Sequence, residues 1–93
     1  MSNKITVWKF PTPIDDVFSI DLPKGAQILT VQVQRGEPCI WALVDPDAPK
    51  EKRHFVLLGT GHVHSKRLLE GCSYVGSYQV QGGQLVFHLW SAP

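Results

Sequence analysis

Tyr74-Val75-Gly76-Ser77-Tyr78-Gln79-Val80-Gln81 and Gln84-Leu85-Val86-Phe87-His88-Leu89-Trp90 are joined by Gly82-Gly83. Two runs of β-forming residues separated by a glycine pair predict a tight hairpin. A primed turn needs positive φ at both central residues, and glycine takes that conformation without strain. In the second run Leu85, Phe87 and Leu89 fall on one face, while Val86, His88 and Trp90 fall on the other. A strand that is apolar on both faces must be covered on both.

Working outward from the hairpin, the rest of the chain reads the same way. Residues 27–34 alternate, with Leu29, Val31 and Val33 expected inward and Thr30, Gln32 and Gln34 outward. Residues 17–22 alternate too, with Phe18, Ile20 and Leu22 on the inner face. Residues 6–10 form a first strand, stopped by Pro11 and Pro13. Cys39-Ile40-Trp41-Ala42-Leu43-Val44 is apolar on both faces and reads as a central strand, with Trp41 in the core. Residues 45–53 read as a polar, proline-stiffened excursion before a short strand at residues 54–58. Residues 59–71 are irregular, with room for one helical turn at Ser65-Lys66-Arg67-Leu68-Leu69-Glu70. Short connections favour antiparallel neighbours. The expectation is all-β: one domain over residues 1–93, a small antiparallel sandwich or partly open barrel of about seven strands.

Composition narrows the function classes. The 93 residues are 43% hydrophobic and 18% charged, which excludes intrinsic disorder. A formal charge of +1 gives no basic surface for tracking phosphates, so bulk nucleic acid is not an expected partner. No apolar run approaches the roughly 20 residues that span a bilayer, and the opening Met1-Ser2-Asn3-Lys4 is not a targeting segment. Neither a membrane nor a signal peptide enters the expectation. Cys39 and Cys72 are expected as free thiols of a reducing compartment.

Chemistry-bearing residues are few. Gly59-Thr60-Gly61-His62 has two readings: a tight bend closing a strand, or backbone amides and a hydroxyl offered to an anion or nucleotide. No Walker lysine follows it. His62 and His64, with His88 or His54, have the donor chemistry for zinc, although unliganded surface histidines fit as well; no metal is assigned. The acid pairs Asp15-Asp16 and Asp45/Asp47 sit beside prolines, where aspartate usually shapes a turn. Cys39 has apolar neighbours that dull a thiol. No nucleophile elbow, cofactor motif or catalytic residue is assigned, and an enzyme is not expected. Trp8, Trp90 and Tyr78 are candidate partner anchors, unless the terminal strands pair and cover each other's rings.

Several segments together resemble a family of small proteins of tailed bacteriophages and prophages with no assigned function. They are Val7-Trp8-Lys9-Phe10, Lys24-Gly25-Ala26-Gln27-Ile28-Leu29, Trp41-Ala42-Leu43-Val44-Asp45, Gly59-Thr60-Gly61-His62 and the two arms of the C-terminal hairpin. One departure is Val63, where that pattern usually carries proline after the Gly-Thr-Gly-His tetrad. The resemblance brings no activity with it; joined to a compact β scaffold without a triad, metal set or cofactor motif, it leads to the expectation of an accessory phage protein in the host bacterial cytoplasm. It would act without catalysis, by binding a host protein such as a defence component or by sequestering a nucleotide signal. Ligand or partner contacts are expected among Gly59, Thr60, Gly61, His62, His88, Trp8, Trp90 and Tyr78, and a homo-oligomer is compatible with this scaffold. The alternatives are a minor virion component or a hydrolase using His62 and His88.

Overall fold

The computed structural model describes residues 2–93. Its strands are β1 (Thr6–Pro11), β2 (Val17–Pro23), β3 (Gln27–Gln34), β4 (Glu37–Val44), β5 (Lys50–Gly59), β6 (Ser73–Val80) and β7 (Leu85–Ser91). All pair antiparallel, as a three-stranded sheet ordered β1-β4-β3 and a four-stranded sheet ordered β2-β5-β7-β6. The two sheets face each other as a sandwich, and the barrel alternative falls because no ladder joins them into a closed ring.

Alternating side chains build the shared core. Ile40, Ala42 and Val44 of β4 meet Phe55 and Leu57 of β5, Leu89 of β7, and Leu22 and Val31 from the flanking strands. Phe18 stacks on Phe55 at 5.3 Å between ring centres. The hairpin forms as its glycines require. Gly82 (φ 66°) and Gly83 (φ 90°) occupy the turn, the Gln84 amide donates to the Gln81 carbonyl at 3.2 Å, and Val80 pairs with Leu85.

Three expectations need correction. Leu29 is 44% exposed, because β3 bulges between Ile28 and Thr30 and Ile28 takes the inward position beside Ala42. Trp41 is half-buried on the outward face of its sheet, since the inward slots of β4 belong to its even-numbered residues. β5 begins at Lys50, within the segment read as a polar excursion. Its charged first half pairs only with the edge strand β2, so both of its faces remain wet there, and Lys52 reaches Asp21 at 3.6 Å. Asp45 behaves as a turn residue. Asp45 accepts from Ser2 Oγ (2.7 Å) and from the amides of Asp47 (2.9 Å) and Ser2 (3.1 Å), and these bonds hold its carboxyl below the usual range. Residues 66–69 make a single 3-10 turn, with Ser65 Oγ accepting from the Arg67 amide. Cys39 and Cys72 are both free.

Tyr78 is 5% exposed and its hydroxyl has no hydrogen-bond partner among the described residues. Burial pushes its phenol up to about 12. The folded state therefore holds this proton more tightly than the unfolded chain does. Its contribution is intact below about pH 10 and is lost as pH rises toward 12. Replacing Tyr78 with Phe removes an unsatisfied hydroxyl, so urea unfolding at pH 8 should show equal or greater stability. Between pH 8 and 11 that variant should lose less stability than the parent. Gly82→Val forces a β-branched residue to positive φ, costs about 2 kcal/mol and should lower Tm by roughly 10 °C. An unchanged melting curve would refute the turn.

Candidate functional site

The outward face of the four-stranded sheet carries the most organised polar cluster. In β7 the inward positions belong to Leu85, Phe87 and Leu89, which leaves Val86, His88 and Trp90 pointing out. Ser77 of β6 pairs directly with His88, and its Oγ lies 2.6 Å from His88 Nδ1. A register shift between Tyr74 and Gly76 reverses the alternation in β6, so Tyr74 shares this face despite lying three residues from Ser77. The Tyr74 hydroxyl bonds Ser77 Oγ. Its ring packs edge-on against Trp90 at 5.3 Å.

The other side of the imidazole is held from the end of β5. Thr60 Oγ1 lies 2.6 Å from His88 Nε2 and also reaches the Val86 carbonyl at 3.3 Å, while the Thr60 amide donates to that carbonyl at 3.1 Å. Both ring nitrogens of His88 are thus bound by hydroxyls. One direction of donation satisfies every contact. Thr60 donates to Val86 and accepts from Nε2–H, leaving Nδ1 bare to accept from Ser77, whose oxygen accepts in turn from Tyr74. Thr60, Ser77 and Tyr74 are exposed and His88 is half-buried, so the chain is open to solvent.

The glycine loop is a turn. The His62 amide donates to the Gly59 carbonyl at 3.2 Å, with Gly61 at φ 85°, the positive value that the third position of a type II turn requires. The amides of Thr60 and His62 are engaged internally, which removes two donors from an anion cradle. The His62 ring lies over Gly59 on the side where a side chain would project; a Cβ there would stand 2.8 Å from His62 Cε1. Gly59 pairs with Phe87, an inward position, so His62 and His88 lie on opposite faces of the sheet. The structure therefore does not bring together the pair named for a hydrolase. A concavity of about 320 Å³ beside this turn is lined by Gly59, Thr60, His62, Leu85 and Phe87. The His62 and His64 rings stand 6.5 Å apart, and the described residues hold no group of three or more His, Cys, Asp or Glu able to bind a metal.

The aromatic candidates separate. Tyr78 is core, so its ring is not offered to a partner. Trp90 is half-buried against Tyr74. Trp8 is 37% exposed on β1. The alternative in which the terminal strands cover each other fails, because β1 pairs with β4 and β7 pairs with β5 and β6 in the other sheet. Ser77 and Tyr74 were not singled out from sequence, although a hairpin centred on Gly82-Gly83 puts Ser77 opposite His88 by simple counting.

Taken together, these features define a small two-sheet β domain with a hydroxyl–imidazole chain on one outward face. The chain belongs to the family described as Domain of unknown function (DUF7352), whose model matches residues 3–93. No curated protein matches it, and no solved structure does. Among the described residues no helix is long and apolar enough to cross a membrane.

Gly59→Ala tests the seat of His62. The ring belongs to an exposed, flexible side chain, so it yields to the new methyl at little cost in stability, under about 0.5 kcal/mol. The His62 imidazole resonances should shift in NMR while those of His88 stay in place. Unmoved His62 signals would contradict this geometry.

Proposed function

We propose that this protein is a bacteriophage accessory protein that acts by binding a protein of the bacterial host, such as a component of anti-phage defence. The phage assignment rests on the sequence resemblance. The binding reading rests on one observation about the surface. Of the nine large apolar side chains exposed among the described residues, five lie at or between two free strand edges: Ile5, Val7 and Trp8 at β1, Ile14 in the connection, and Val17 at the start of β2.

Apolar groups gathered beside unpaired strand edges are unusual for a protein with nothing to bind. Edge strands normally carry charges or prolines that block pairing, and here Lys9 and Pro11 of β1 are the only such residues in that strand. A partner adding a strand to β1 would gain main-chain hydrogen bonds from the edge and side-chain contacts from Val7 and Trp8. Exposed tryptophan is among the residue types that most often dominate binding energy. The nucleotide-signal version has weaker support, since the glycine turn uses two of its own amides.

Affinity capture from host lysate with the intact protein tests the reading. One host protein should be enriched, and Trp8→Ala should weaken its binding at least ~30-fold, the effect of losing a residue worth about 2 kcal/mol. Recovery of the protein inside purified phage particles, with no host protein captured, would instead support the virion alternative and overturn this one.

A further inference from the structure

We infer that Ser77 is a nucleophile, activated by His88 and positioned to accept an acyl group from an activated ester. This goes beyond the binding reading and does not depend on it. Two parts of a covalent site are already in contact. The first is a hydroxyl with a base: Ser77 Oγ lies 2.6 Å from His88 Nδ1. The second is a group that fixes the base: Thr60 Oγ1 lies 2.6 Å from Nε2, is itself tied to the Val86 carbonyl, and selects the tautomer that leaves Nδ1 free of hydrogen. A further hydroxyl, that of Tyr74, donates to Ser77 Oγ in the resting site and must release it before the oxygen attacks.

Ser77 and Tyr74 are both exposed, so the tyrosine can turn aside and an ester can reach the oxygen. Beside it the Tyr74 and Trp90 rings, 5.3 Å apart, form an apolar wall that favours an aryl or alkyl acyl group. The step is balanced. Ser77 Oγ bonds to the carbonyl carbon as its proton passes to His88 Nδ1. The bond to the leaving oxygen then breaks and that oxygen departs as an alcohol, taking the proton from His88. Water attacking the acyl-serine by the same route releases the acid and restores the hydroxyl. In this scheme Ser77 and His88 touch the reacting atoms, and Thr60 acts only through His88 as a positioning residue.

The test uses the intact protein and a fluorophosphonate, which phosphonylates activated serines and expels fluoride. Intact-mass and fragment spectra should show one adduct per chain, on Ser77. The labelling rate should follow a single ionisation with pH. His88→Gln should slow labelling ~100-fold or more and flatten that pH profile, the usual weight of a general base. Thr60→Val should slow it by a smaller factor, with Thr60→Ser restoring the rate. Thermal melts matching the parent would exclude unfolding as the cause in each variant. Ser77→Ala should remain unlabelled. The inference is overturned if no adduct forms, if the adduct lies on another residue, or if folded His88→Gln labels at the parental rate.

Discussion

The sandwich depends on a close approach along one side. Strands β3 and β6 are edges of different sheets, and they meet where Gly76 faces Val31. A Cβ on Gly76 would stand 3.1 Å from Val31 Cγ1, tighter than ordinary contact, so the absence of a side chain there sets the separation of the sheets. Val31 is 3% exposed and Tyr78, two residues beyond Gly76, is nearly as enclosed; both are held by this approach. The orphaned Tyr78 hydroxyl follows from it as well. The position supplies ring volume to the core and no acceptor for the proton. Close contact on this side leaves β1 and β2 apart from it, and five of the nine exposed large apolar side chains among the described residues lie at or between those two strands.

Most of the architecture was legible because residues 17–22, 30–34 and 85–90 follow a period of two, and because Gly82-Gly83 fixes a register. The failures have separate causes. At Leu29 an extra residue in the strand reversed the expected facing, and no local residue type marked it. At β5 the pattern broke because a charged segment needs no inner face when its only neighbour is an edge strand. Trp41 was read by hydrophobicity alone, but the strand's alternation had assigned the inward slots to smaller neighbours, and the large ring lies on the outward face.

The site was less legible than the fold. Ser77 opposite His88 follows from the hairpin alone. Thr60 reaches the same imidazole only through the pairing of β5 with β7, across 28 residues of sequence. Tyr74 joins only because of a register shift, which alternation cannot foresee. His62, two residues from Thr60, looked like a natural partner for His88, and a single turn carried it to the other face of the sheet.

The ladder pattern also divides the chain by how far apart in sequence its partners lie. β3 with β4 and β6 with β7 are hairpins between sequence neighbours, one in each sheet, whereas β1–β4, β2–β5 and β5–β7 join distant segments. Closing a long loop carries an entropy cost that a hairpin avoids, so these two local units are the parts able to organise first. They touch through the Gly76–Val31 seam, which makes that contact the natural nucleus and leaves β1 and β2 to dock late. Late-docking strands are also the first to detach in the native state, so the β1 amides should exchange with solvent deuterium sooner than those of β4 or β7.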